Sequence, residues 1–170
     1  MSPAPLLCAR QVAVGLAGRV FCRDLDLRLM PGQNLAVLGR NGVGKSTLLA
    51  VLAGLRPPLA GEVLLAGRTY AASGARASAL LRGWLPQGRS EAFSSTVLET
   101  ALIGRHPHLA RWAWESANDA AIARQALAAV GMADLAQRDV QTLSGGERQR
   151  LAIATVLTQA PQLYLLDEPL

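Results

Sequence analysis

The stretch "NLAVLGRNGVGKSTLLAVLAGL", residues 34–55, constrains this chain more than any other. A near-continuous apolar run leads into Gly39, a glycine-rich loop follows, and apolar residues at helical spacing resume after Lys45. The run predicts a strand over 34–39 covered on both faces. The spacing predicts a helix over 45–55 that stops near Gly54, with Pro57 and Pro58 beyond it.

The connecting loop, "GRNGVGKST" at 39–47, fits G-x-x-x-x-G-K-[ST] in the strand-to-helix setting that this pattern requires. Gly39, Gly42 and Gly44 let the backbone wrap an anion, with N–H groups of the loop (Gly39, Arg40, Asn41, Gly42, Val43, Gly44, Lys45, Ser46, Thr47) aimed inward. The N-terminus of the following helix adds roughly half a positive charge. Lys45 is long enough to reach β- and γ-phosphates, and the Ser46 hydroxyl suits a Mg²⁺ position. Lys45 is the single lysine beside sixteen arginines. A compact ammonium and a planar guanidinium are not interchangeable, so position 45 calls for a point charge in a narrow space. A purely structural turn would explain the glycines but neither the lysine nor the serine.

Two further segments carry chemistry. "LYLLDEP", 163–169, reads as a buried strand delivering Asp167 and Glu168 to a sheet edge. Asp167 suits a Mg²⁺ ligand and Glu168 a general base that polarises water. "TLSGGERQR", 142–150, places Ser144, Gly145 and Gly146 ahead of a helix, with Glu147 in capping-box register. By itself this is a well-capped helix start, with an N-terminus ready for an anion.

Around these segments the pattern alternates between strand-rich and helix-rich. Residues 6–14 and 20–29 read as antiparallel strands, 61–67 and 83–86 as short strands, and 75–82 as a helix. Thr96 with Glu99 opens a helix over 96–104, and 116–131 is an amphipathic helix ending at Gly131. The helix after Ser144 stops at Pro161. An α/β core with an all-helical insert over about 90–160 accounts for this order. The length suits one domain, and 51% hydrophobic residues can fill its core. No apolar run of about 18 residues is present, and the N-terminus lacks the pattern of a secretion signal. Cys8 and Cys22 lack metal-ligand spacing and read as two buried thiols of a reducing compartment. The net charge of +5 comes from scattered arginines with few aromatics, so no nucleic acid partner is expected.

Taken together and in order, these segments resemble the ATP-binding subunit of ATP-binding-cassette (ABC) transporters, from about residue 6 to the last. The 39–47 loop is similar to Walker A, "LPQ" ending at Gln87 to the Q-loop, "LSGGERQR" to the signature, and "LYLLDEP" to Walker B. The resemblance implies a P-loop NTPase (RecA-like) α/β core over 1–89 and 161–170. An N-terminal antiparallel β subdomain and a helical subdomain over 90–160 complete one ABC domain. It implies ATP and Mg²⁺ as cofactors, with Ser46, Gln87 and Asp167 around the metal, and Glu168 with Gln87 in catalysis. Ser144, Gly145, Gly146 and Glu147 would serve in trans in a head-to-tail sandwich of two ATPase subunits. The further partners would be an integral membrane permease and, indirectly, a substrate-binding protein, on the cytoplasmic face of the bacterial inner membrane. "GRHPH", 104–108, resembles importers of iron chelates: siderophores, haem, and cobalamin by kinship. His106 and His108, either side of Pro107, fit a surface loop near the membrane partner better than a metal site.

The pattern departs from the family in two places. Leu16 stands where an adenine-stacking aromatic often sits, and Phe21 is the nearby aromatic. Family members also continue past the Walker B acids to a strand bearing a γ-phosphate-sensing histidine. The expectation is therefore a cassette lacking its C-terminal part, with an open sheet edge, weak nucleotide binding and poor turnover. Alternative readings are a non-transport ABC ATPase of DNA repair or translation, and a non-catalytic nucleotide-binding fragment.

Overall fold

The computed structural model describes residues 4–88 and 94–169. The stretch 89–93, where the sequence places the start of the helical insert, lies outside the described residues. The chain divides into two compact units, 1–82 and 83–170.

The first unit is built on a four-stranded antiparallel sheet in the order β2-β1-β3-β4. β1 (Leu7–Leu16) and β2 (Arg19–Leu29) form a hairpin closed by Ala17 and Gly18. Both turn residues have positive φ, 49° and 80°, the backbone twist that two-residue hairpins require. β3 (Ala60–Leu65) pairs with the other edge of β1, and β4 (Arg68–Thr69) follows it through a tight turn. Leu7, Val12, Val14 and Leu65 are almost wholly buried, and α1 (Lys45–Leu52) packs against β1. Two short helices, α2 (Tyr70–Ser73) and α3 (Ala75–Leu81), complete the unit. The Tyr70 ring fills the space beside Gly54, and its hydroxyl donates to the Leu52 carbonyl at 2.8 Å. Burial pushes that phenol up to about 12, partly offset by Arg82.

The strand expected over 34–39 is not formed. Residues 33–40 have no regular structure, and Leu35 and Leu38 are exposed, Leu38 by 89%. A near-continuous apolar strand is stable only inside a sheet, with neighbours on both edges and cover on both faces. Among the described residues no strand pairs with this run. Cys8 is buried as expected, but Cys22 is only half-buried.

The second unit packs α4 (Val97–Leu102), α5 (Ala117–Ala129) and α6 (Gly145–Gln159) around Val97, Ala101, Ala123, Leu127, Met132 and Leu151. Three capping boxes start these helices. Thr96 with Glu99, Ser116 with Asp119, and Ser144 with Glu147 each exchange backbone and side-chain hydrogen bonds. Each box satisfies two otherwise orphaned N–H groups. These bonds hold all three carboxyls below the usual carboxylate range, with Arg105 assisting at Asp119 and Arg138 at Glu147. A pair of strands, β5 (Arg82–Leu85) and β6 (Leu163–Leu166), closes the unit.

The "GRHPH" segment is a 3₁₀-helix, Ile103–His108, rather than a surface loop, and Gly104, Arg105 and His108 have structural tasks in it. A Cβ on Gly104 would lie 2.2 Å from the Thr155 carbonyl oxygen, so only glycine permits this approach to α6. Arg105 is buried, donating from Nε to Asp119 at 2.8 Å and from a terminal nitrogen to the Thr158 carbonyl at 3.2 Å. His108 Nε2 donates to the Gln159 carbonyl at 2.8 Å. Both cation-capable groups thus meet the last carbonyls of α6, where partners are missing and the helix dipole is negative. No cluster of metal-ligating side chains occurs among the described residues.

Two outcomes follow. Gly104→Ala should destabilise the chain by about 1–3 kcal/mol, because backbone rather than a yielding side chain opposes the new methyl; urea unfolding measures this. Acid should also weaken the chain. A carboxyl with a depressed folded pKa contributes stability above its unfolded pKa and loses it as pH falls through the folded value. The urea midpoint should therefore drop as pH falls below about 4, the ordinary carboxylate pKa. Glu147→Gln, which keeps the cap but cannot titrate, should flatten that slope.

Candidate functional site

In the first unit, the 39–47 loop hands the chain to α1 through Gly44. Gly42 (φ 76°) and Gly44 (φ 103°) both occupy the left-handed region. Gly44 has a second reason to be glycine, because a Cβ there would lie 2.6 Å from the Phe21 ring. The loop is tied by the Val43 N–H to the Arg40 carbonyl at 3.3 Å. Lys45 folds back over it, its Nζ donating to the carbonyls of Gly39 at 2.9 Å and Arg40 at 3.3 Å. The start of α1 has no side-chain cap and no acidic residue in its first turn. Residues 41–43 and Ser46 are exposed, and Thr47 is half-buried. The first turn of α1 is therefore open, with a cation beside it.

Phe21, the aromatic near the expected adenine-stacking position, forms a wall of this loop, and the Arg19 guanidinium lies 5.6 Å from the ring centroid. Leu16 is 44% exposed. No periodicity signals a contact between position 21 and position 44; only the bulged hairpin register brings Phe21 there.

In the second unit, β6 alternates. Leu163, Leu165 and Asp167 are buried, whereas Tyr164, Leu166 and Glu168 are exposed. The two acids therefore have opposite surroundings although adjacent in sequence. The Asp167 N–H donates to the Leu85 carbonyl at 2.9 Å, and Glu168 has φ 48°. Gln87, just beyond β5, donates from Nε2 to Glu168 at 2.5 Å across 81 residues of sequence. The candidate pair Gln87 and Glu168 is thus brought together. Of the three residues expected around Mg²⁺, Ser46 belongs to the first unit, and Gln87 and Asp167 to the second.

The third candidate group sits at the start of α6. Glu147 accepts the Ser144 N–H at 2.7 Å, while Ser144 Oγ accepts the Glu147 N–H at 3.3 Å. Gly145 and Gly146 are exposed, with open space where side chains would be. Arg138 braces the turn. It donates to the Thr142 hydroxyl at 2.9 Å and carbonyl at 2.8 Å, and pairs with Glu147 at 3.4 Å. Nothing in the sequence distinguishes Arg138 from other surface arginines.

The pattern of the family described as ABC transporter matches residues 22–170. The hemin import ATP-binding protein HmuV of Gloeobacter violaceus is 46% identical over 171 residues, covering 96% of this chain and 62% of that protein. The cobalamin import ATP-binding protein BtuD of Halobacterium salinarum is 42% identical, over 92% of this chain and 39% of its own length. The chain thus spans less than two thirds of the length of each of these relatives. An inward-facing ABC transporter assigned to the metal-chelate type superposes with a TM-score of 0.80 at 33% identity, over 97% of this chain and 60% of that one. A bacterial Atm1-family ABC exporter with ATP bound superposes with 0.79 at 26%, over 98% and 30%. The cassette fold is therefore shared with an exporter and does not by itself give a transport direction. With its Walker-type loop, Q-loop, signature and acidic strand end, the chain belongs to the ABC transporter family and has the fold of its ATP-binding cassette.

Proposed function

We propose that this chain is the ATP-binding part of an ABC import ATPase serving iron–siderophore, haem or cobalamin uptake. The observation that carries the reading is the open glycine loop with Lys45 at the uncapped start of α1. The names of the most similar relatives support the cargo class. "GRHPH", whose packing role is described above, is compatible with it.

The residues present fit the two cofactors. A phosphate chain needs backbone donors, a cation and no competing carboxylate, and the start of α1 supplies all three. Mg²⁺ prefers oxygen ligands. The proposed set of Ser46 hydroxyl, Asp167 carboxylate and Gln87 side-chain carbonyl is all oxygen, and Gln87 spends its nitrogen on Glu168, leaving that carbonyl oxygen for a cation. When bound, Mg·ATP supplies a phosphoanhydride whose developing charge the metal offsets. Loop N–H groups from Gly39 to Thr47 and the Lys45 ammonium hold phosphate oxygens. Gln87 orients Glu168 and an attacking water, and the Glu168 carboxylate accepts that water's proton.

The domain grouping belongs to the same proposal. Residues 1–89 and 161–170 form the nucleotide core, and 90–160 the helical subdomain. The pairing of β5 with β6 supports it, because it joins the two ends of the helical stretch. Ser144, Gly145, Gly146 and Glu147 serve a second ATPase subunit in trans. That second subunit completes the catalytic group only on closure. The pair works at the cytoplasmic face of an inner membrane beneath a permease supplied by a substrate-binding protein. Among the described residues, no helix is long and apolar enough to cross a membrane.

Titration of the chain with a fluorescent ATP analogue and Mg²⁺ tests this reading. Lys45→Ala should weaken binding about 10- to 100-fold, the worth of a hydrogen bond to a charged group. Glu168→Gln should leave nucleotide affinity unchanged and remove any phosphate release. Unchanged affinity in a folded Lys45→Ala variant would overturn the reading.

A further inference from the structure

The start of α6 holds two features that oppose each other. On the reading above, Ser144, Gly145 and Gly146 meet a phosphate held by a second subunit, yet a carboxylate stands in the same turn. Glu147 accepts the Ser144 N–H at 2.7 Å. The capping-box bonds of Ser144, with Arg138 and Arg150 adding to them, hold Glu147 below the usual carboxylate range, so it is charged at neutral pH. A fixed negative charge at this end offsets the helix dipole and repels an incoming anion.

Arg138 meets that charge and spends all three guanidinium nitrogens on this one turn. Nε donates to the Thr142 hydroxyl at 2.9 Å, one terminal nitrogen to the Thr142 carbonyl at 2.8 Å, and the other to Glu147 at 3.4 Å. Its backbone is fixed as well. The Arg138 carbonyl accepts the Val97 N–H at 3.0 Å, and the Arg138 N–H donates to the Leu135 carbonyl at 2.9 Å. Asp139 extends the brace, accepting the Gln141 N–H at 2.8 Å and the Ser94 hydroxyl.

The cap itself does not need this guanidinium. The Thr96–Glu99 box of α4 makes the same exchange of hydrogen bonds, and among the described residues no ion pair reaches Glu99. An ion pair on an arginine side chain that is 42% exposed also adds little to stability. A planar fork bound at three points supplies orientation, and its charge supplies a counter-ion for Glu147. We propose that Arg138 is the positioning residue of the signature turn: by pinning Thr142 and Glu147 it fixes the Ser144–Gly146 backbone and cancels the carboxylate's charge, so that the turn receives the terminal phosphate of a nucleotide on a second copy of this chain instead of repelling it. The role rests on the trans assignment made above for Ser144, Gly145 and Gly146.

The test uses the whole chain with a fluorescent, non-hydrolysable ATP analogue and Mg²⁺. It reads nucleotide affinity at a dilution where the chain is monomeric, and nucleotide-dependent dimerisation by analytical ultracentrifugation. Arg138→Ala should leave the monomer's affinity unchanged and weaken the dimer about tenfold, the scale of one lost hydrogen bond to a charged group. Arg138→Lys, which keeps the charge without the fork, should weaken the dimer less, and it carries the test where the alanine variant fails to fold. Arg138→Ala/Glu147→Gln should recover much of the dimer, because the charge that needed cancelling is gone; a purely structural brace would not be restored this way. Lys45→Ala, by contrast, should lose affinity and dimer together. A dimer of Arg138→Ala as tight as the wild type, no recovery in the double variant, or a parallel loss of monomer affinity would overturn the role. A wild type that binds nucleotide yet stays monomeric would overturn it together with the trans assignment, leaving the nucleotide site in place. A wild type that binds no nucleotide would overturn the proposed function and this role with it.

Discussion

Every α-helix begins with backbone N–H groups that its own turns cannot satisfy, and this chain meets that requirement in two opposite ways. In the second unit, α4, α5 and α6 each close their first turn with a capping-box carboxylate. In the first unit, α1 leaves its donors open behind a glycine, with no acid nearby. α3 also follows a glycine, but it has seven residues and no ammonium at its start. The difference is chemical. A carboxylate fixed within the first turn neutralises the helix end and rigidifies its entry, whereas an open end beside Lys45 keeps positive potential for an outside anion. The proposed phosphate site therefore depends on what α1 lacks as much as on what the loop contains.

The signature turn joins both strategies. Ser144 and Glu147 close part of the α6 N-terminus, and Arg138 holds Glu147 in place. Gly145 and Gly146 leave the rest of that turn unobstructed. A helix end so arranged is rigid yet approachable, the combination needed of a surface that must meet a charged group without rearranging. On the proposed reading, the charge that completes it arrives with the partner subunit's nucleotide.

Features set by local chemistry were legible in the sequence. Two of the three capping boxes, at Thr96 and Ser144, and the glycine at the C-terminal side of α5 are fixed by residue types three or four apart, so spacing alone revealed them; the Ser116–Asp119 box emerged only in the structure. The hairpin followed from alternation, and the acids at the end of β6 from the short apolar run that leads into them. What failed depends on distant partners. The 34–39 run has the composition of a core strand, yet composition cannot supply a neighbour to hydrogen-bond with. Gln87 against Glu168 could be suspected only through the family resemblance, because 81 residues separate them. Phe21 beside Gly44 and Arg138 around Glu147 carried no readable signal, since each contact follows from bulges and turns whose geometry one sequence does not specify.

"GRHPH" shows why a family motif and its physical role need separate arguments. As a sequence pattern it suggests a cargo class. In the structure, glycine allows a close approach to α6, arginine is buried against Asp119, and histidine and arginine together satisfy the last carbonyls of that helix. None of these contacts reads a cargo. They fix the 3₁₀-helix firmly to α5 and α6, and the turn closed between Ala110 and Ala113, which carries the exposed Trp112 at a strained φ of 68°, follows that fixed base. A rigid support is what a strained turn requires, because a loose segment would relax the φ of Trp112 instead of holding the ring outward. The residues that resemble an import signature thus act, physically, as the foundation for the surface next to them.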